Sequence, residues 1–151
     1  MSDEFIPREI AGADVVAEAR RYLGVHFKHR GESFEGIDCS GLTLATARAL
    51  GQCPPDYKRP AYSMRPDPSL FLREMLKFTR RVERDERQPG DIALMCHHVE
   101  HPRTEHCAFI TEKGLLHIFP AASIPVVAEH GMDAMWEQKI LRILRLTGVN
   151  R

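Results

Sequence analysis

Residues able to do covalent and acid–base chemistry follow one another along this chain in a meaningful order. Cys39 stands in Gly36-Ile37-Asp38-Cys39-Ser40-Gly41-Leu42, where a polar loop gives way to a helical pattern. A cysteine in the first turn of a helix faces unpaired backbone N–H groups and the positive end of the helix dipole. Both favour thiolate over thiol, and the same N–H groups can receive an oxyanion. The alternative for a free cysteine is a small buried hydrophobe, so the chemistry depends on a base. Five of the 8 histidines, His97, His98, His101, His106 and His117, fall within twenty-one positions. His106 precedes one short apolar run and His117 lies in the next. A hairpin between the runs brings the rings close across the sheet, as a base and a second polar group that holds it. Without such a role, His106 is a surface residue at a loop end and His117 a half-buried histidine satisfied by backbone.

The elements that must position these residues change character along the chain. Val15, Val16, Ala19, Tyr22 and Leu23 recur at helical spacing, and Gly24 stops the pattern. The stretch from Val25 to Ile37 reads as a loop. A second helix starts at Asp38 or Cys39 and runs through Leu42, Ala45 and Ala49 to Gly51. Five prolines in the sixteen residues from Cys53 to Pro68 exclude a helix or a central strand and predict a surface excursion. Asp67 caps and Pro68 opens a third helix with Leu70, Phe71, Met75, Leu76 and Phe78 on its apolar face. Glu83 to Arg87 reads as a solvated turn.

Beyond that point strands dominate. Gln88-Pro89-Gly90-Asp91 is a turn before Ile92–Met95. Cys107–Ile110 and Leu115–Phe119, joined by Thr111-Glu112-Lys113-Gly114, predict a β-hairpin. Pro125–Ala128 is a further strand, Met132–Gln138 a short helix bearing Trp136 as a core or cover residue, and Ile140–Leu146 a closing strand. Helices first and strands second predict an α+β fold with the helices packed on a C-terminal antiparallel sheet.

The 151 residues fit one domain, residues 1–151, able to fold without metals or disulfides. Lys plus Arg equals Asp plus Glu at 21 each, so no basic excess marks a nucleic-acid partner. No apolar run approaches the ~20 residues that cross a bilayer. The acidic N-terminus has no apolar segment, which predicts synthesis in the cytoplasm without secretory export. Cys39, Cys53, Cys96 and Cys107 are too scattered for a disulfide framework and are expected as thiols. Cys96, His97, His98, His101, His106 and Cys107 are all potential metal ligands. The two cysteines lie eleven apart with no CxxC pair, so the segment reads as a solvated loop and no metal is expected.

The sequence resembles the NlpC-type papain-like cysteine peptidases. The resemblance rests on Asp38-Cys39-Ser40-Gly41-Leu42, Pro89-Gly90-Asp91-Ile92, His106-Cys107-Ala108-Phe109-Ile110 and Leu116-His117, in that order, and extends from about Val16 to Leu146. It implies Cys39 as nucleophile, His106 as base and His117 as the third member, with Phe27, Asp38 and Ser40 near the substrate and no cofactor. Phe27 stands where many members carry tyrosine, and Ala108 where glycine is common. Tyr22 to Gly31, and Val126 to His130 with Trp136, are similar to tail-associated members encoded by phages. The implied substrate is the peptide stem of peptidoglycan. The implied setting is a phage or phage-like tail, with tail hub or tail-tip proteins as partners and no nucleic acid or membrane insertion. The alternative is a structural tail-tip adaptor with weak or no activity. In the enzyme reading, Cys39 faces His106, and Cys107, next on the strand, points away from the cleft into the core.

Overall fold

The computed structural model describes residues 4–61, 67–120 and 122–150. Where the sequence alternates between helical and extended patterns, the chain forms α1 (Gly12–Arg20), β1 (Glu32–Ser33), β2 (Gly36–Ile37), α2 (Cys39–Ala49) and α3 (Pro68–Met75). There follow β3 (Thr79–Val82), a 3₁₀ turn (Arg84–Glu86), β4 (Ile92–Met95), β5 (His106–Thr111), β6 (Gly114–Ile118), β7 (Val127–His130), α4 (Ala134–Lys139) and β8 (Ile140–Leu146). Six strands pair antiparallel in the order β3-β8-β4-β5-β6-β7, and β1 and β2 form a separate two-stranded ribbon. The expected α+β architecture is the one observed. Among the described residues no helix is long and apolar enough to cross a membrane.

Strand alternation divides the apolar residues between two layers. Leu94, Cys107, Phe109, Leu116, Ile118 and Leu144 face α1 and α2, where Val15, Ala19, Leu42 and Leu44 meet them. Ala93, Met95, Ala108, Ile110, Leu115 and Ile143 face the other way and pack with Trp136 of α4. β4, β5 and β6 are buried along their whole length, since both faces of the sheet are covered.

Local chemistry sets the element ends. Asp67 accepts hydrogen bonds from the Ser69 and Leu70 amides at 2.8 and 3.2 Å, capping α3 as its sequence predicts. Asp133 caps α4 through the Trp136 amide at 3.0 Å, so this helix starts two residues later than Met132. β7 runs two residues beyond the expected strand, to His130. β1 and β2 fall inside the stretch read as a loop, because two-residue strands have no period to recognise. β3 escapes the reading too. Its Thr79-Arg80-Arg81-Val82 is a charged edge strand of the kind that blocks further pairing. Part of the proline-rich excursion, residues 62–66, lies outside the described residues.

The Pro89-Gly90-Asp91 turn ties the sheet to the helical layer. Gly90 has φ of 101°, and a Cβ there would lie 2.6 Å from the Gly12 carbonyl oxygen, so only glycine lets α1 approach. Asp91 is fully buried and takes Arg145 of β8 at 2.7 and 2.9 Å, a two-pronged ion pair, while also accepting the Gln88 amide at 2.8 Å. Removing one partner strands a buried charge. Asp91→Ala is therefore expected to lose about 3–5 kcal/mol. The apolar pair Asp91→Leu with Arg145→Met should recover most of that loss. Urea unfolding of the three proteins, with equal slopes, checks both expectations.

Candidate active site

Cys39 opens α2, and Asp38 is its N-cap. One carboxylate oxygen of Asp38 accepts the Gly41 amide at 2.8 Å and the other the Arg30 amide at 2.8 Å. Gly41 follows from packing: a Cβ there would fall 1.9 Å from the Gly31 carbonyl oxygen. Arg59, from the proline-rich excursion, lies across this turn. Its guanidinium donates to Asp38 at 3.0 Å, to Ser40 Oγ at 2.6 Å, to the Arg30 carbonyl at 2.9 Å and to Glu32 at 3.1 Å. Asp38 and Ser40 thus build the turn that holds Cys39. Phe27 packs its ring against the helix-side core, and its amide donates to the Pro125 carbonyl at 2.8 Å.

The Cys39 thiol is half-buried and meets Cys107. The hydrogen bond from the Cys107 side chain pulls the Cys39 thiol below its ordinary range. Burial and the Asp38 charge oppose this, while backbone hydrogen bonds at Cys107 and Ser40 assist it. The partner moves the opposite way: the bond to Cys39, then burial, holds the Cys107 thiol well above its ordinary value. Cys107 is the donor of the pair and Cys39 the acceptor. Thr43, one turn into α2, places Oγ1 3.4 Å from Cys107 Sγ. Cys107 is buried as expected, but it does not point away from Cys39; it is the residue Cys39 touches. The reason is the strand period. Leu94, paired with Cys107, faces α2, so Cys107 does too.

The same rule moves His106. It pairs with Met95, which faces the layer of α4, and its ring lies against Phe119 and His97, with centroids 5.7 and 5.8 Å away. The expected contact between the Cys39 sulfur and a His106 nitrogen is absent among the described residues. His106 Nε2 is instead 2.6 Å from His117 Nδ1, and His106 Nδ1 is buried with no partner among the described residues. The pairing of base and orienting ring foreseen from the hairpin is thus formed, while the pairing of nucleophile and base is not.

A third ring joins them. His117 Nε2 is 2.7 Å from His130 Nε2, and His130 Nδ1 is 2.9 Å from the Gly131 carbonyl oxygen. Trp136 stands edge-on to His117 with centroids 5.2 Å apart. Burial, with the neighbouring charges of His117, His97 and Lys139, pushes His106 well below the usual 6.5. Burial, His130 and Lys139 push His117 down to about 3. Both rings are neutral at physiological pH. Sequence reading missed His130 because the predicted strand ended at Ala128; two further residues of alternation bring it beside His117. It missed Arg59 because nothing in a proline-rich stretch marks which side chain turns inward.

Cys53 and Cys96 are buried, and all four cysteines are free thiols. Among the described residues no group of three or more His, Cys, Asp or Glu side chains is arranged to hold a metal ion.

No family model matches the sequence, and no curated protein matches it. Solved structures do. Superposition on an NlpC/P60 family protein from Bacillus cereus gives a TM-score of 0.66 at 18% identity over 97% of this chain and 43% of that one. The NlpC/P60 domain of the peptidoglycan hydrolase SagA gives 0.59 at 19% identity, covering 90% of this chain and 98% of that domain. A lipoprotein-like NLP/P60 family protein from Staphylococcus aureus gives 0.61 at 19%, covering 99% and 46%. The chain therefore shares the papain-like α+β fold of NlpC/P60 proteins. It spans less than half the length of two of these three chains.

The donor role of Cys107 has a measurable consequence. Cys107→Ala removes the largest influence lowering the Cys39 thiol, so that thiol should titrate at higher pH. Alkylation of Cys39 by iodoacetamide at mildly acidic pH should slow roughly tenfold for each pH unit gained. The rate–pH profile read by mass spectrometry at Cys39 checks this; an unchanged profile would remove Cys107 from the site.

Proposed function

We propose that this chain is a cysteine hydrolase that cleaves peptide stems of peptidoglycan, with Cys39 as nucleophile and His106 as general base. The observation that carries the reading is the first turn of α2: a thiol held below its ordinary range beside backbone N–H groups, on the fold of NlpC/P60 proteins. The neighbouring structures include a domain named as part of a peptidoglycan hydrolase, which supports the substrate class. In the reaction the thiolate attacks a peptide carbonyl and forms an acyl-enzyme. The amine leaves with a proton from His106, and water activated by the same ring releases the acyl group. His117 holds the His106 ring. For this, the Cys39 thiol must leave Cys107, and it and His106, which face opposite layers of the sheet in this structure, must meet at His106 Nδ1, the one buried ring nitrogen with no partner among the described residues. Geometry of this kind commonly tightens only with substrate bound. A small apolar cavity of about 50 Å³ beside Ser40, lined by Leu44, Tyr57, Phe71 and Met75, suits a small apolar side chain of the substrate.

The setting belongs to the same proposal. With a formal net charge of zero the protein has no bulk attraction to an anionic wall, so a phage-like tail that carries it there would supply the local concentration it lacks. A second reading is favoured by the Cys39–Cys107 contact: a tail-tip adaptor that keeps the fold and has little activity.

Purified muropeptides separate the two. The wild type should release new amino termini, Cys39→Ala should release none, and His106→Ala should be slower by about 10²–10⁴-fold. Particles carrying Cys39→Ala should adsorb normally and inject poorly through an intact wall. A folded wild type that cleaves no muropeptide leaves the adaptor reading in its place.

A further inference from the structure

The three rings form a chain with a direction. A carbonyl oxygen can only accept, so His130 Nδ1, 2.9 Å from the Gly131 oxygen, carries a hydrogen. Neutral His130 then presents a lone pair at Nε2, and His117 must donate to it from its own Nε2 across 2.7 Å. His117 Nδ1 is left to accept from His106 Nε2 across 2.6 Å. What remains is a bare lone pair at His106 Nδ1, buried and unpartnered among the described residues. One backbone carbonyl at the rim of the sheet thereby settles the tautomer of His106, two rings further in than His130.

We propose that His130 is the positioning residue of a three-histidine proton relay, fixing His106 Nδ1 as the accepting nitrogen and holding the positive charge once that nitrogen is protonated. The relay rests on the hydrolase reading for its use, though its geometry stands without it. When His106 Nδ1 takes the proton of the thiol, the His106 Nε2 proton passes to His117 Nδ1, and the His117 Nε2 proton passes to His130 Nε2. Only N–H bonds change on the rings: His106 and His117 end neutral with hydrogen on Nδ1, and His130 ends as imidazolium. The reverse transfer returns a proton to the leaving amine.

The surroundings favour charge at the outer ring. His106 and His117 are 2% and 3% exposed, so an imidazolium at either would lose its hydration. His130 is half-buried at the end of β7. His97, on the loop after β4, and Lys139, at the end of α4, both disfavour a cation at His106, and Lys139 does so at His117. Trp136 of α4 lies 4.7 Å from the His130 ring, centroid to centroid, where an indole attracts a cation, and it shares that attraction with the Lys139 ammonium, 5.0 Å from its own centroid. The nearby carboxylates are engaged elsewhere: Glu129 with Arg20 at 2.7 Å on the other face of the sheet, and Glu105 with Arg103 at 3.7 Å.

Nitrogen-15 spectra of the histidine rings test the relay directly. At neutral pH, His106 and His117 should carry hydrogen on Nε2 and His130 on Nδ1; the opposite tautomers in the wild type overturn the proposal. On acidification, the three rings of the wild type should respond together with one midpoint. His130→Gln keeps an oxygen to accept from His117 but cannot take a proton. In that variant His106 and His117 should keep their hydrogen on Nε2 to a pH lower by about one unit or more, and kcat at neutral pH should fall roughly tenfold with KM unchanged. Identical titrations of His106 and His117 in the two proteins overturn the relay, whatever the activity. If the wild type shows the common midpoint and the variant the shift, yet neither cleaves stem peptides, the relay stands and the hydrolase reading falls.

Discussion

Successive side chains of a strand leave it on opposite faces, and β5 places two reactive residues, His106 and Cys107, side by side under that rule. The thiol goes toward α2 and meets Cys39; the imidazole goes toward α4 and meets His117. Both outcomes are fixed by register, since Leu94 and Met95 opposite them on β4 face the same two layers. A slip of one residue would exchange the partners of every group in the site. The site is therefore two half-sites, one on each side of a single strand: a thiol pair beneath a helix terminus and a file of imidazoles beneath an indole.

The helix-side half is held by saturation of charge. Asp38 has both oxygens occupied by backbone amides as well as Arg59, and Arg59 is occupied in turn by Asp38, Ser40, Glu32 and the Arg30 carbonyl. Such a network fixes Cys39 through its neighbours on both sides and leaves the thiol the mobile element of the turn. It also explains where part of the proline-rich excursion goes: its one arginine among the described residues is anchored over the first turn of α2. The opposite half is held by aromatic contacts, with rings stacked and edge-on around Trp136 and Phe119 and the Lys139 ammonium 5.0 and 5.8 Å from their centroids. Electrostatic order on one face and aromatic order on the other meet at β5.

Most of the fold was legible because its elements carry strong local signals. Gly51 ends α2 at φ of 67°, Asp67 and Pro68 start α3, and the hairpin turning at Glu112-Lys113 shows as two apolar runs, whereas α1 stops at Arg20, four residues short of Gly24. The site was legible only in part. The His106–His117 contact follows from a hairpin, which is local, and it formed. The Cys39–His106 contact depends on which face of a buried strand meets a distant helix. Here the sequence has no polar alternation to reveal the face, because β4, β5 and β6 are apolar on both sides. His130 and Arg59 were out of reach for other reasons: the expected strand stopped at Ala128, two residues short of His130, and a proline-rich stretch has no period to show that Arg59 turns inward.

The position of β8 has a kinetic meaning. The strand formed last in sequence lies between β3 and β4, inserted into the middle of the sheet, and it carries the Arg145 that neutralises buried Asp91. A nascent chain that has emerged from the ribosome only as far as α4 has β3 without its partner, β4 open along one edge and a carboxylate with no counter-ion. Completion of the sheet must wait for residues 140–146, and closing contacts some 60 residues apart is slow by the standards of helical domains. Until then the hairpin of β5 and β6 has only local contacts to hold it, and α2, which bears the thiol, has no finished sheet to rest on.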